Sequence, residues 1–207
     1  MVNVFASYDD PIKCAVALDD KRLSRMAFES CELLSAAILN IRLGMDTETP
    51  TSTDDKYAPP YSPKLRVRRH PCAKWVSESR GNYLWLLQHF KALAEEHKLR
   101  YAKSDYCTPF DYYQWLKRHA SELPNMERTS FHEAMPVEIK DLPYSTFTKY
   151  RLTLIHKHLY LDVRDSTWSK HKHVKRSPPK WMFDPRGRKL LRDIFGKPVN
   201  NPAALRM

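Results

Sequence analysis

Glycine is nearly absent from this chain: four residues in 207, against fifteen prolines. Such scarcity leaves little material for the glycine-rich loops that cradle phosphates. No G-x-x-x-x-G-K-[ST], G-x-G-x-x-G or G-x-S-x-G pattern occurs. Nucleoside-triphosphate, dinucleotide and α/β-hydrolase chemistries are therefore unsupported. Cysteine is just as thin. Cys14, Cys31, Cys72 and Cys107 are scattered with no C-x-x-C pair, which argues against a zinc knuckle or a disulfide framework and reads as buried thiols. No run approaches the roughly 18 apolar residues of a membrane span, and no signal-peptide pattern opens the chain. A cytoplasmic protein with no membrane contact is the expectation.

Positive charge is what the chain has in excess. The net charge is +11 and the isoelectric point about 9.5. A field of this size points to a polyanionic partner, nucleic acid first and an acidic membrane surface second. Residues 162–207 hold twelve Lys or Arg against four Asp, so they supply eight of the eleven net charges. A second cluster, "KLRVRRHPCAK", holds Lys64, Arg66, Arg68, Arg69 and Lys74 with no acid. Aromatic side chains stand beside both clusters: His70, Trp75, Trp168 and Trp181. Ring faces next to phosphate-binding cations suit unstacked bases. A solubility surface or a flexible basic tail is the plainer account.

With 42% apolar and 29% charged residues the chain is globular, and its length suits one domain. "VNVFA" reads as a short strand or an extended lead-in. Asp10 and Pro11 open a helix that the periodicity carries to about Leu43, with Leu23, Met26, Ala27, Leu34, Ala37, Ile38 and Ile41 as its apolar stripe. Residues 44–63 are a Pro-rich, locally acidic loop, too long for a simple connection, that is mobile or closes over a site. A second long helix spans Pro71 to Tyr101, with Trp75, Leu84, Leu87, Phe90, Leu93 and Ala94 apolar. Thr108, Pro109 and Asp111 open a third, "LPYSTFTKYRLTLIHKHLYL" gives a fourth, and "PRGRKLLRDIF" a short last one. There is no repeat and no sustained period-two pattern. The fold class expected is mostly α, a compact helical domain over 1–161 with a basic C-terminal extension over 162–207.

One helical stretch concentrates the chemistry. "LDDKRLSRMAFESCELL" carries Arg22, Arg25, Glu29 and Glu32 at spacings of three, four and three, which put all four charges on one face. On a solvated face, Arg25 and Glu29 would form an i,i+4 pair of roughly 0.2–0.5 kcal/mol. Beside Asp19, Asp20, Lys21 and Arg22 the same face takes on another meaning. A carboxylate held among cations stays ionised. It can stabilise an oxocarbenium ion, orient a water or move protons at a base, while the arginines bind phosphates. His70 ends the "RVRRH" run just ahead of a helix start, where it can bond a phosphate, carry a proton, or simply cap or pack. Arg80, Asn82 and Tyr83 share the start of "SRGNYLWLL". H-x-H occurs at His156/His158 and His171/His173, but no acid or cysteine stands at a ligand spacing. No metal and no cofactor are expected.

Those same segments carry a resemblance. "LDDKRLSRMAFESCELL", "HPCAKWVSESRGNYLWLLQHFKALAEEH", "MP" at 135–136 and "KYR" at 149–151 resemble a family of small phage proteins over roughly residues 3–155. More distantly, the first helix is similar to that of the phage pyrimidine-dimer DNA glycosylases, compact all-α enzymes with a D-x-x-L…E arrangement. Laid on this chain, the pattern falls on Asp20, Leu23 and Glu29, with a helix-opening histidine near His70. The resemblance implies that an N-terminal α-amine attacks C1′ of a damaged nucleotide, giving a Schiff base and strand cleavage assisted by the glutamate. Val2 is small enough for Met1 to be removed. The stretch ahead of Glu29 is several residues longer than in those enzymes. With Met1 retained, Glu29 would orient a water instead.

The expected protein is thus a phage-type DNA base-processing enzyme in the cytoplasm of an infected bacterium, most simply a DNA glycosylase at a damaged or modified pyrimidine. Glu29 is its central carboxylate, assisted by Asp20 and His70. Lys21, Arg22, Arg25, Arg66, Arg68, Arg69, Lys74, Arg80, Lys149 and Arg151 would hold phosphates. Trp75, Asn82, Tyr83 and Trp85 would line the pocket for a base displaced from the stack. DNA, in single or double strands, is the expected partner. A transferase of thymine hypermodification, placing an amine or amino acid on an activated 5-hydroxymethyl pyrimidine, is the nearest rival. A nucleic-acid-binding protein without chemistry is the third reading.

Overall fold

Two buried arginines and a set of local caps decide how this chain folds. A computed structural model describes residues 3–47, 59, 61–101, 111–161, 167–168, 174 and 176–197. Among the described residues there are nine α-helices and no strand: α1 Pro11–Ala17, α2 Asp20–Leu43, α3 Leu65–Arg68, α4 Pro71–Glu78, α5 Arg80–Tyr101, α6 Tyr113–His119, α7 Val137–Lys140, α8 Thr146–His156 and α9 Pro185–Phe195. The mostly α class is therefore what the chain adopts.

Each of the two long helices expected from periodicity is broken once, and in both cases a side-chain cap outcompetes the continuing pattern. Asp19 takes an extended conformation and its carboxylate accepts from Arg22 N at 2.9 Å, which ends α1 and starts α2 afresh. Ser79 does the same between α4 and α5, its Oγ accepting from Asn82 N at 3.0 Å. Asp10 caps α1 with Pro11 in the first turn, and Ser145 caps α8, which continues as a π turn over Lys157–Leu161. The last helix lies where "PRGRKLLRDIF" put it. Thr108 and Pro109, expected to open the third helix, lie outside the described residues. Residues 3–6 of "VNVFA" form no regular element and pair with no strand among the described residues.

The core forms where α2 packs on α5, α4 and α3, and α1 on α5. Leu23, Met26, Leu33, Leu34 and Ile38 of α2 are buried among Tyr83, Leu86, Phe90 and Leu93 of α5. Ile41 and Leu84, counted in the apolar stripes, are exposed instead. Arg100 of α5 is fully buried and ties three elements together. It pairs with Glu96 at 2.7 Å and Asp20 at 3.0 Å, and donates to the Leu18 and Val16 carbonyls closing α1. The described parts of the basic tail fold back on this junction. Thr167 O accepts from Asp20 N, Trp168 Nε1 donates to Ala17 O at 3.2 Å, and Arg176 grips Glu96 through two 2.8 Å bonds.

Gly81 permits one close approach. A Cβ there would sit 2.6 Å from the Glu127 carbonyl carbon and nearer still to Arg128 N. The segment 124–129 can therefore lie directly on the start of α5, where Arg80 N donates to Pro124 O and Gly81 N to Met126 O.

Candidate active site

The charged face of α2 looks onto a cleft. Arg25, Phe28, Glu29 and Glu32 line it together with Tyr61, Arg66, Val67 and His70, around a volume of about 400 Å³. Helix α3 and the cap of α4 bring in the second group, so the "KLRVRRH" run meets the stripe because α3 and α4 both pack on α2.

Glu29 is 6% exposed and engaged on both oxygens. Oε1 accepts from Arg25 Nε at 2.7 Å, and Oε2 accepts from the backbone N–H of Asn3 at 3.0 Å. Asn3 is itself pinned, its Nδ2 donating to Ala134 O at 2.6 Å and its Oδ1 accepting from Val4 N at 2.7 Å. Just beyond, Phe5 holds φ at +47°, a left-handed conformation that costs a non-glycine residue roughly 1 kcal/mol or more. Burial of the Phe5 ring edge-on to Tyr150, at 6.4 Å between centroids, offsets that cost. Residues 3–5 are thereby fixed beside the carboxylate.

His70 is the N-cap of α4, with Nδ1 accepting from Cys72 N at 3.2 Å. A neutral ring then carries its proton on Nε2. Burial, followed by the neighbouring charge of His132, lowers the His70 pKa from its ordinary value. The ring is thus a neutral donor at pH 7 rather than a fixed cation. Tyr61 donates its hydroxyl to Glu32 Oε1 at 3.0 Å, and burial with that hydrogen bond raises the phenol's pKa, so the proton stays on the tyrosine. At the rim, the Arg25 side chain is 69% exposed and Phe28 is 48% exposed. An anchored carboxylate, a neutral imidazole and two arginines around an open volume suit a phosphate-flanked sugar or base.

The family model for pyrimidine dimer DNA glycosylases matches residues 2–108, just over half of the 207-residue chain. The chain belongs to that family. No curated protein and no solved structure matches it. Every residue lining the cleft of this pyrimidine dimer DNA glycosylase family member lies inside the matched stretch, and the family is one of enzymes that act on DNA.

Other residues singled out in the sequence have different surroundings. Asp20, expected to assist catalysis, is buried outside the cleft lining, paired with Arg100 and accepting from Thr167 Oγ1 at 3.1 Å. Arg22 turns away as well, buried against Asp19 in a short ion pair. Arg68 is fully buried. It donates to Asn40 Oδ1 at 3.1 Å and to the carbonyls of Leu39, Gly44 and Thr47, so it closes the end of α2 instead of holding a phosphate. Arg80 secures the segment after α6 through Ser121 O at 2.9 Å and Asn125 at 3.1 Å. Lys149 pairs with Glu133 at 3.1 Å, and Arg151 donates to Ser7 O while lying 4.6 Å over the Tyr8 ring. Lys21, Arg66, Arg69 and Lys74 are exposed, with Arg69 beside Asp46 at 3.1 Å.

The expected base pocket is core. Tyr83 donates to Leu116 O at 3.0 Å, Asn82 to Trp75 O at 2.6 Å, and Trp85 Nε1 to Asp9 O at 2.7 Å, while Trp75 packs 5.2 Å from Phe131. None of the four lines the cleft. The aromatic side chains that do are Phe28 and Tyr61. Glu32 was already on the charged stripe, and the same spacing could have named Phe28, three residues beyond Arg25. Asn3 and Tyr61 carry no local signal. His156 stacks on Tyr160 at 4.9 Å, whereas His171 and His173 lie outside the described residues. No helix among the described residues is long and apolar enough to cross a membrane.

Proposed function

We propose that this protein is a DNA glycosylase acting at a damaged or modified pyrimidine nucleotide, with Glu29 as its central carboxylate. The observation that carries the reading is the hydrogen bond from Asn3 N to Glu29 Oε2. Residue 2 is one Cα step, about 3.8 Å, from Asn3, so loss of Met1 would leave the Val2 amine within reach of that carboxylate. An α-amine titrates near pH ~8 and is a competent nucleophile at neutral pH.

In this reading the amine attacks C1′, the bond from C1′ to the pyrimidine nitrogen breaks, and its electron pair leaves with the base, which takes a proton from water. Glu29 accepts the proton released by the amine and opposes the positive charge growing at C1′. The sugar ring then opens to a Schiff base, from which elimination cuts the strand. His70 donates from Nε2 to a neighbouring phosphate, and Arg25 and Arg66 hold the phosphates on either side. With Met1 retained, Glu29 would orient a water and the reaction would stop at an abasic site.

The test is incubation with UV-irradiated DNA in the presence of borohydride, with mass spectrometry of nucleosides and protein. A covalent protein–DNA adduct on the N-terminal residue identifies the amine; abasic sites without an adduct identify water. Glu29→Gln should lower either signal by about 10²–10⁴-fold. Base release that survives this change would refute the assignment of Glu29.

One observation favours a second reading. Glu32 is a second carboxylate in the same cleft, and a transferase joining an amine to an activated 5-hydroxymethyl pyrimidine would need one to deprotonate that amine and cations for the leaving pyrophosphate. A heavier nucleoside, formed only when an amine is added, would identify that activity.

A further inference from the structure

Base release as described draws only on residues inside the stretch shared with the family, and leaves α9 and its flanks without a part. Residues 180–197 hold six Lys or Arg against two Asp. Both acids are engaged. Asp184 caps α9 by accepting from Arg186 N at 3.2 Å, and Asp193 pairs with Lys189 at 2.7 Å. Neither Arg186 nor Arg192 meets an acid among the described residues.

Helix α9 sorts these charges by side. At about 3.6 residues per turn, Arg186, Arg188, Lys189 and Arg192 fall on one arc, and Gly187, Leu190, Leu191 and Phe195 on the other. The apolar arc is covered by the protein itself. Leu191 is fully buried, Leu190 and Phe195 pack on the core, and a Cβ at Gly187 would meet the Leu152 and Ile155 side chains of α8 at 3.4 and 3.5 Å. The Tyr160 hydroxyl lies 2.7 Å from Gly196 O and 3.2 Å from Leu191 O, which secures the far end. Ahead of the helix, Trp181 Nε1 donates to the Tyr8 hydroxyl at 2.8 Å. A helix lying on a membrane needs a free apolar face. This one offers only its cations, with Arg186, Lys189 and Arg192 exposed.

Helix α8 links the arc to the cleft. Its Tyr150 packs on Phe5, and Lys157 just past it lies 5.8 Å from the same ring. Phe5 is two residues from Asn3, whose N–H holds Glu29. The arc is thereby fixed relative to the carboxylate. Six residues separate Arg186 from Arg192, about 9 Å along the axis. That spans two to three phosphate steps of about 3.4 Å on one DNA strand.

We infer that the cationic arc of α9, with Lys180 and Lys197 flanking it in sequence, is a second DNA-backbone surface that binds phosphates of the duplex beyond the stretch held in the cleft. The inference rests on the family's action on DNA and not on which bond the cleft breaks. Such contacts add affinity without reading sequence, and salt weakens them.

The experiment measures binding of the full chain to duplexes of about 8 and about 24 base pairs by fluorescence polarisation over a salt series. Each duplex carries a central tetrahydrofuran abasic analogue, which fills the cleft and has no base to release. The longer one adds about 27 Å on each side, more than the roughly 16 Å length of α9. Arg186→Ala combined with Arg192→Ala should weaken binding to the longer duplex by about ten- to thirtyfold near 0.1 M salt and lower its salt slope by about two. Binding to the shorter duplex should change by less than about twofold. Lys117→Ala combined with Arg118→Ala removes the same charge from an exposed part of α6 and should leave the slope as it is. Equal weakening at both lengths, or an equal fall in slope for the α6 pair, overturns the inference. So does flotation with phosphatidylserine vesicles that the α9 variant loses while its DNA binding is untouched. Preference for the tetrahydrofuran duplex over an intact one, and base release from irradiated DNA, test the cleft separately. Their failure with the length dependence intact refutes the glycosylase alone.

Discussion

Arg66, Arg68 and Arg69 are near neighbours in sequence and look equivalent there, yet each has a different task. Arg66 is exposed and lines the cleft, Arg69 pairs with Asp46 at the surface, and Arg68 is sealed under the end of α2. Carbonyls at and beyond a helix end lack intrahelical donors, and Arg68 supplies donors to Gly44 O and Thr47 O there as well as to Leu39 O in the last turns. Arg68→Ala should therefore cost about 2–4 kcal/mol of stability, through several buried acceptors left unpaired. Arg66→Ala should leave stability within about 0.5 kcal/mol and reduce the salt slope of DNA binding by about one. Urea denaturation and binding titrations over a salt series measure both. Equal loss of stability in the two variants would contradict this division of roles. The sequence shows charge but not which way a helix rotates, so Arg22, Arg68 and Asp20 looked like site residues until packing turned them inward.

At the scale of elements, what the periodic pattern conceals is where it is interrupted. Both breaks, at Asp19 and Ser79, occur at ordinary capping residues inside otherwise continuous helical stretches. The break at Ser79 lets α5 begin against the segment 124–129, and Gly81 makes the contact possible. That contact holds Phe131 against Trp75 and Trp85, and leads on to Ala134, which anchors Asn3. Gly81→Ala should thus destabilise the protein by about 2–4 kcal/mol, since the clash is with backbone that cannot rotate away. It should also open a protease-sensitive site between residues 124 and 136. An unchanged melting temperature and digestion pattern would show that the segment does not depend on Gly81. The stripe on α2 and the helix starts at Pro11, Pro71 and Pro185 were legible in the sequence because they are local patterns. The union of Glu29 with Asn3, and of Glu32 with Tyr61, was not, because each joins positions 26 and 29 residues apart.

For the whole molecule, acid is the condition to which this fold is most exposed. His89 is fully buried between Trp85, which stacks on it, and Pro11 O, which its Nδ1 meets at 2.9 Å. Its Nε2 has no hydrogen-bond partner among the described residues, so a second proton there would be a buried charge without an acceptor. Burial accordingly lowers its pKa to about 4. Burial lowers His70, His132, His156 and His158 in the same direction. Between the folded value and the ordinary 6.5 of His89, the unfolded chain binds the extra proton and the native state does not. Stability therefore rises with pH through that window and is lost as pH falls below 6.5 toward 4. Glu96, where burial is outweighed by its bonds to Arg176 and Arg100, has a lowered pKa and extends the loss further into acid. The net charge of +11 grows over the same range and adds self-repulsion. From pH 7 to pH 5 the His89 contribution alone amounts to roughly 2 kcal/mol. A series of urea melts across that range should show the decline, and His89→Gln, which cannot take up the proton, should show a shallower one by about that amount. Parallel declines in the two proteins would mean that His89 charges as readily in the folded state as in the unfolded chain.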